Sequence, residues 1–373
     1  MNKENKLKAV FAVIFLLFQI SCGGGSGGSS TPNSNTNQVV DEDHIIGDAI
    51  TGRLFIGGDN DGLILDLSTG KYSQIPGVDW TEEIVNEYHS MANYTAMPSS
   101  DGSEFVVTVN NCLNTTDSEF PSLFDDCIEI RSNDGNLIGT GKLIEEISRN
   151  TRLSRNKQYF AFFHNDSRYQ NGNDELVIFD RNFQFISSSY LPSHLARSFD
   201  WLNDSGQIVY IHDQTIYVTA SYDTLGTPIY TFTEDAGRPD YISASPDGTK
   251  IAFTLVTSAS MHSIHGATWV MNSDGTDLHQ LAFIPNNDNP IINYPTWSPD
   301  GKFIMNMVGY ISGKDDEVVG ITVFGGLYAV PSDSRNVAIN DGGEEGVVHI
   351  TSYYNSNELN YNFSSNGNLV WIP

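Results

Sequence analysis

The chain has few basic residues, few cysteines and no long apolar run. Its 373 residues include 19 Lys and Arg against 46 Asp and Glu, for a formal net charge of -27. A nucleic acid requires a basic surface on which to release its counterions, so this charge excludes a nucleic acid partner and disfavours an anionic membrane surface. The three cysteines are too few for a fold built on disulfides.

The chain does contain enough apolar material for a sizeable core. Hydrophobic residues make up 39% of the sequence and aromatic residues 11%, with 33 glycines. Because apolar surface of this extent can be buried against itself, the composition excludes a chain that is disordered throughout.

Residues 1–21 have the pattern of an export signal. Three lysines precede a ten-residue apolar run at 9–18, which is too short to span a bilayer comfortably. Ser21 and Cys22 follow, and this order resembles a bacterial lipoprotein signal, in which the first Cys of the mature chain is lipidated. We therefore predict lipidation of Cys22. An ordinary cleaved secretory signal is the alternative.

Residues 22–50 begin with a stretch rich in Gly, Ser and Asn. The part at 23–38 (GGGSGGSSTPNSNTNQ) contains no aliphatic residue, as expected of a flexible linker. An anchor on this linker would hold the body, residues 51–373, close to a membrane. We predict an exported protein anchored in the cell envelope, at the outer membrane if the cell is Gram-negative.

Internal self-similarity is the strongest signal in the body. The segments 241–253 (YISASPDGTKIAF) and 294–305 (YPTWSPDGKFIM) each predict a strand, a tight Ser-Pro-Asp-Gly turn and a second strand. Pro presets the backbone angle φ of such a turn, and Gly accepts a positive φ. The predicted turn pairs are Asp101-Gly102, Asp247-Gly248 and Asp300-Gly301. Further degenerate copies occur at 154–157, 203–206 and 364–367.

The spacing of these turns indicates the architecture. Their last residues lie 42 to 66 positions apart, and propeller blades of the WD40 kind are about 40–45 residues long, so we interpret them as blades with loop insertions. The segment 269–281 (WVMNSDGTDLHQL) predicts the outer half of a blade. Together these segments resemble the repeats of TolB-type β-propellers, also called WD40-like PD40 repeats. The resemblance implies an all-β propeller over about residues 50–373.

The two ends of the body predict a closed ring. Residues 362–372 supply two inner strands of a blade, and residues 62–75 supply two outer strands. Their pairing would complete one blade and leave no open sheet edge. We therefore predict six four-stranded blades. Seven is the alternative, if 51–56 and 349–354 form a separate sheet.

Cys112 and Cys127 flank an insertion in the first full blade. Export places them in an oxidising compartment, and if Cys22 is lipidated they are the two cysteines left to pair with each other. We predict a disulfide, which closes a loop of about 15 residues and contributes roughly 3 kcal/mol in the chain-entropy account. Two reduced thiols are the alternative.

Several of the nine histidines follow the second strand of a blade and would share the rim opposite the SPDG turns. These are His164, His212, His262 and His265, with Asp166 and Asp213 beside the first two. Histidine together with carboxylate suits a transition metal. The resemblance also extends to propellers that are metal-dependent polysaccharide lyases, so a divalent metal at these histidines is one hypothesis. Histidines scattered over a solvated rim are the alternative, and we predict no cofactor.

The sequence leaves three functions open, because propellers host unrelated activities. The first is a non-enzymatic module that binds a protein or cell-envelope component on one rim. The second is a metal-dependent carbohydrate-active enzyme that uses the rim histidines, and the third is a sensor with a small-molecule pocket in the central channel. The anchor, the linker and the lack of a convincing catalytic constellation favour the first.

Overall fold

The computed structural model of the chain describes most of the body and omits parts of its loops. The described residues are 50–58, 61–78, 84–85, 90–91, 94–109, 127–142, 151–165, 174–191, 196–260, 263–285, 290–314, 317–339, 346–350, 362–363 and 368–373. The predicted signal and linker, the turn at 364–367, and the residues Cys22, Cys112 and His262 lie outside these ranges. Among the described residues, no helix has the length and apolar character needed to cross a membrane.

The described chain is almost entirely β-structure. Blade 1 begins with β1 (Arg53–Gly58), β2 (Asp61–Asp66) and β3 (Lys71–Gln74), and a hairpin of β4 (Ile84–Val85) and β5 (Ser90–Met91) follows. Blade 2 contains β6 (Tyr94–Pro98), β7 (Glu104–Val109), β8 (Cys127–Ser132) and β9 (Leu137–Lys142). Blade 3 contains β10 (Arg152–Leu153), β11 (Tyr159–Asn165), β12 (Asp174–Asp180) and β13 (Phe185–Tyr190).

The second half of the chain repeats this order. Blade 4 contains β14 (Ala196–Trp201), β15 (Ile208–His212), β16 (Thr215–Val218) and β17 (Thr227–Thr231). Blade 5 contains β18 (Arg238–Ala244), β19 (Lys250–Ser260), β20 (Ser263–Asn272) and β21 (His279–Phe283). Blade 6 contains β22 (Pro290–Trp297), β23 (Phe303–Lys314) and β24 (Glu317–Pro331), with β26 (Val348–Ile350) and β27 (Asn362–Phe363) paired to β24 at its outer side. Between them in the chain, β25 (Val337–Ala338) pairs with β21 of blade 5. The last strand is β28 (Asn368–Ile372).

Six four-stranded blades form the ring, so the prediction of an all-β, six-bladed propeller is confirmed. Neighbouring strands within each blade pair antiparallel, and the first strand of each lies against the central channel. The core lies between the blades: Phe105 of blade 2 packs in one cluster with Phe160 and Phe162 of blade 3. Because both faces of a sheet are covered, the second strands contain long buried runs, such as 105–108 of β7.

The closing blade differs from the predicted one. One strand from the C-terminal end, β28, pairs with β1, and three strands come from the N-terminal end, so the predicted split of two and two is wrong. Residues 53–58 form the second strand of this blade, and β26 is the outermost strand of blade 6. The two segments that could have made a separate sheet are therefore both used, and the seven-blade alternative is wrong.

Candidate functional site

One rim of the propeller carries the turns between the first and second strands of blades 2 to 6. We call it the turn rim. In blade 1, the corresponding place is occupied by Gly52 and Pro373, and the Arg53 Nε atom donates to the Pro373 carbonyl at 3.1 Å. The turn rim therefore closes without a turn in blade 1, at the point where β1 begins and β28 ends.

A shared set of hydrogen bonds holds three of these turns. The serine hydroxyl donates to the aspartate two residues later, at 2.6 Å in Ser99–Asp101, 2.6 Å in Ser245–Asp247 and 2.7 Å in Ser298–Asp300. The same serine oxygen accepts the backbone N–H five residues on, and the glycines have φ of 64°, 71° and 72°. The predicted Asp-Gly pairs therefore have a structural role, since their polar atoms are used inside the turn.

The turn at 154–157 makes the same bonds without aspartate or glycine. Ser154 donates to Asn156 at 2.8 Å, and Lys157 adopts a φ of 56° in the place of glycine. The Lys157 ammonium lies 2.6 Å from the Asp101 carboxylate of the neighbouring blade. Burial acts to raise the pKa of Asp101, but hydrogen bonds from Lys157 and Ser99 outweigh it and hold this pKa well below its usual range.

The channel opens into a cavity of about 340 Å³ at the turn rim. First strands of the blades form its wall, and the second residue of each turn stands at its edge. These edge residues are Ser100, Arg155, Asp204, Pro246 and Pro299. The volume lies within the range of about 300–1,000 Å³ that is typical of ligand pockets. We call this the channel-mouth cavity.

Two tyrosines give the cavity an aromatic wall. Tyr241 and Tyr294 lie at β-bulges in the first strands of blades 5 and 6, with positive φ values of 45° and 54°. Their ring centroids are 4.1 Å apart, and the Tyr294 hydroxyl donates to that of Tyr241 at 3.2 Å. Burial and then the neighbouring Tyr241 raise the pKa of Tyr294. A bulky residue at positive φ is strained, and such strain is common at ligand sites.

Three tryptophan indoles fix the first strands around the cavity. The Nε1 atom of Trp201 donates to the Arg152 carbonyl at 3.1 Å, and that of Trp297 donates to the Ser243 carbonyl at 3.1 Å. Each of these bonds joins a blade to the preceding one. In the closing blade, Trp371 donates to the Thr51 carbonyl at 2.9 Å. Because the channel wall is tied across blade boundaries, the cavity is preformed.

Two charged groups of the cavity wall, Asp200 and Arg155, are used by the protein itself. The Asp200 carboxylate accepts from the Ala244 N–H at 2.9 Å and lies 3.3 Å from the Arg152 guanidinium. Arg155 donates to four backbone carbonyls of blades 4 and 5. These are Trp201 at 2.9 Å, Ala244 at 3.2 Å, Ser245 at 2.7 Å and Pro246. The lining also includes apolar side chains such as Met97, Leu153 and Leu369, and the exposed Asp204 lies at the edge of the cavity.

The sequence places the histidine ligands on the opposite rim, and its hypothesis of a pocket in the central channel names none of the residues that line this cavity. Its best sequence signal is a tyrosine four residues before the turn serine in both near-consensus copies, Tyr241 before Ser245 and Tyr294 before Ser298. Arg155 gives no such signal, because its partners lie on other blades.

His164 and His212 occupy matching positions in neighbouring blades. Each lies four residues after the second-strand residue that pairs with the end of the first strand, Phe160 in blade 3 and Ile208 in blade 4. Both are buried, with exposed fractions of 4% and 7%. They lie toward the rim opposite the turns, as the sequence predicts.

Of the remaining proposed ligands, two lie within the described residues. His265 pairs with Ser258 in blade 5, and Asp213 lies in the turn after His212, whereas His262 and Asp166 are outside the described residues. Within the described ranges, no group of three or more His, Cys, Asp or Glu side chains could hold a metal ion. The metal site therefore stays a prediction.

Cys127 begins β8 and is 9% exposed. Its predicted partner Cys112 lies outside the described residues, so the disulfide stays a prediction, as does lipidation of Cys22.

Comparison with known proteins finds similarity among solved structures. No family model matches the sequence, and no curated protein sequence matches it. Among solved structures, the chain is similar to TolB from Acinetobacter baumannii, at 13% identity over 77% of this chain and 65% of that chain, with a TM-score of 0.45. An Agrobacterium tumefaciens protein assigned as TolB shares 13% identity over 87% of this chain and 99% of its own, with a TM-score of 0.48.

An oligogalacturonate lyase in complex with manganese is also similar, at 12% identity over 76% of this chain and 74% of the lyase, with a TM-score of 0.45. At these identities the likeness is one of fold, and it says nothing of ligand or activity. The chain is a six-bladed β-propeller whose structural neighbours include TolB proteins.

Proposed function

We propose that the chain is an exported lipoprotein, anchored through Cys22, whose propeller binds a segment of a protein or cell-envelope component. The observation that carries the binding role is the channel-mouth cavity, which is preformed and of ligand size. The signal pattern and the Gly/Ser-rich linker support the anchor.

The lining of the cavity favours an apolar or aromatic side chain of the partner. Tyr241, Tyr294 and Trp297 present ring surface, while the charges of Asp200 and Arg155 are already compensated within the protein. A ligand charge inserted against Asp200 and Arg155 would lose its hydration without gaining a free counter-charge, which is costly. The partner therefore inserts an uncharged side chain.

The edge of the cavity favours a macromolecule over a small molecule. Turn residues from five blades surround the opening, and Pro246 and Pro299 among them are rigid and lack an N–H group. A partner larger than the cavity can rest on this edge while one segment enters the channel. Rigid edges reduce the conformational entropy lost on binding.

Site-specific photo-crosslinking tests this proposal. Ser100 lies at the edge of the cavity and is exposed, whereas Thr249 is exposed beside another turn and does not line the cavity. A crosslinker at position 100 in intact cells is expected to give a discrete adduct that the same group at position 249 does not give. Absence of an adduct at 100, or equal adducts at both positions, would contradict the proposal.

A metal-dependent enzyme is the second candidate, and the matching burial of His164 and His212 in neighbouring blades favours it. Elemental analysis of the purified chain separates the two candidates. The binding module predicts sub-stoichiometric metal and unchanged folding in a chelator. Stoichiometric Mn or Zn that is lost in a double variant, His164→Ala with His212→Ala, would instead support the enzyme.

A further inference from the structure

The outer wall of blades 2 to 4 carries a cluster of exposed apolar side chains. Among the described residues, the large apolar side chains that are exposed are Leu137 and Ile138 of β9, Phe185 and Ile186 of β13, and Leu225 just before β17. Their exposed fractions run from 38% to 63%. Single exposed apolar residues are ordinary, but a cluster on consecutive blades marks an interaction surface. We call these five residues the outer apolar band.

Contacts between blades make the band continuous. The Phe183 ring lies over the outer strand of blade 2, where a Cβ atom at Gly139 would be 3.2 Å from it and one at Gly141 would overlap it. On the other side, the Ser187 hydroxyl donates to the Tyr222 carbonyl of blade 4 at 3.4 Å. The outer strands of the three blades therefore form one surface.

The band lies near the turn rim. Four of its members directly follow the hairpin between the third and fourth strands of blades 2 and 3, and Leu225 lies within the corresponding connection of blade 4. The hairpins of blades 2 and 3 bond to residues next to the rim turns. The Asn133 N–H donates to the Ser103 carbonyl at 2.9 Å, and the Arg181 N–H donates to the Gln158 carbonyl at 2.8 Å. Because all three hairpins lie at one rim, a flat surface can meet the band along that edge.

The segment 131–197, which contains four of the five band residues, is less acidic than the rest of the chain. Of the 16 Lys and Arg residues after Cys22, nine lie within 131–197, together with only seven of the 45 acidic residues. The remaining mature chain has seven basic and 38 acidic residues. Four of the nine basic residues pair with acids outside this range, so the segment together with these partners has nine basic and eleven acidic residues, against seven and 34 elsewhere. Phosphate head groups repel the strongly acidic remainder, so blade 3 and its border with blade 2 are where the protein can approach a bilayer with least repulsion.

We propose that the outer apolar band docks on the surface of a phospholipid bilayer. The inference rests on the proposed membrane anchoring, because the flexible part of the linker has an end-to-end distance of about 20–24 Å. This is comparable with the radius of gyration of about 20 Å expected for a body of this size. An anchored chain can thus place the band on the same bilayer that holds the anchor.

Vesicle co-sedimentation tests the band separately from the anchor. The chain beginning at Gly23 lacks the lipidation site and keeps the whole closed ring, and the probe is a vesicle of phosphatidylcholine. The variant with Leu137→Ser, Phe185→Ser and Leu225→Ser is expected to bind about tenfold more weakly, because three apolar side chains no longer enter the lipid. Phe283→Ser, on the half-buried fourth strand of blade 5, is the matched control and is expected to bind as the parent does.

Several outcomes would overturn the inference. These are no binding by the parent chain, equal binding by the triple variant, or a triple variant whose only change is a lost self-association in size-exclusion chromatography. If the triple variant unfolds, Leu225→Ser alone gives the test, since this residue lies in a loop outside the strands. Because the tested chain has no Cys22, a failure here leaves the anchor standing, and intact mass of the exported chain tests lipidation by itself.

Discussion

Blades 5 and 6 hold their rim turns with local constraints, whereas blade 3 uses its turn to hold other blades. The second turn residue is Pro246 in blade 5 and Pro299 in blade 6, and its ring fixes φ. In blade 3 the same place is taken by Arg155, which bonds to four carbonyls of blades 4 and 5. A turn whose sequence departs from the repeat can therefore be held as firmly as one that keeps it. In blade 3, hydrogen bonds from the Arg155 side chain to other blades replace the constraint that the proline ring supplies in blades 5 and 6.

The largest effect expected from this contrast is that of Arg155→Ala. The substitution leaves carbonyls of two other blades without their charged donor, so we expect the free energy of unfolding to fall by about 2–4 kcal/mol. Urea denaturation at neutral pH measures it. Arg335→Ala is the matched control, because its ion pair with Asp277 is half-exposed and therefore contributes little to stability. Equal costs for the two variants would remove the distinction between blade 3 and the others.

A smaller effect is expected from the turn serines. Ser154 and Ser298 are both buried, and each donates to the residue two positions later and accepts an N–H five positions later. We expect Ser154→Ala and Ser298→Ala to cost about 1–2 kcal/mol each, since a partly buried N–H loses its acceptor. The two values should agree when measured under the same denaturation conditions. A much smaller cost at Ser154 would show that the degenerate turn is not equivalent to the near-consensus one.

The smallest expected effect is the loss of stability in acid that comes from the Asp101 carboxylate. The pKa of Asp101 is lowered in the folded state, so its contribution to stability is present above the unfolded value of about 3.9 and is lost as the pH falls through the folded pKa. Asp101→Asn should lower stability by less than about 1 kcal/mol near neutral pH, because the carboxylate is half-exposed. The difference from the parent should shrink as the pH falls below about 4. A difference that stays constant with pH would mean that Lys157 does not recognise the charge.

The sequence predicts the repeating part of this fold well. The SPDG copies give the positions of first and second strands even where the turn is degenerate, as at 154–157, because the same buried serine and positive φ recur there. The closing blade is harder to predict, since either division of its strands leaves no open edge. The two divisions differ in the contacts that they allow between residues at opposite ends of the body, such as the hydrogen bond from the Trp371 indole to the Thr51 carbonyl.

The candidate site is predicted less well for a related reason. The channel-mouth cavity is built from first strands of all the blades, and its shape depends on which side chains the ring brings together. Tyr241 and Tyr294 are visible as a repeated residue, but their contact requires bulges in two adjacent blades. The rim histidines, by contrast, are visible as a pattern in the sequence, and His164 and His212 do lie at matching positions.

The most direct test of the account is the affinity of the crosslinked partner for variants of the cavity. Ser243→Trp fills the channel mouth, and Thr249→Trp places the same side chain on the exposed turn beside it. With both variants folded, as shown by unfolding midpoints equal to that of the parent, we predict about tenfold weaker binding for the first, because the inserted segment loses its buried contacts. We predict unchanged binding for the second. Equal affinity of parent and Ser243→Trp would contradict the assignment of the channel-mouth cavity as the binding site.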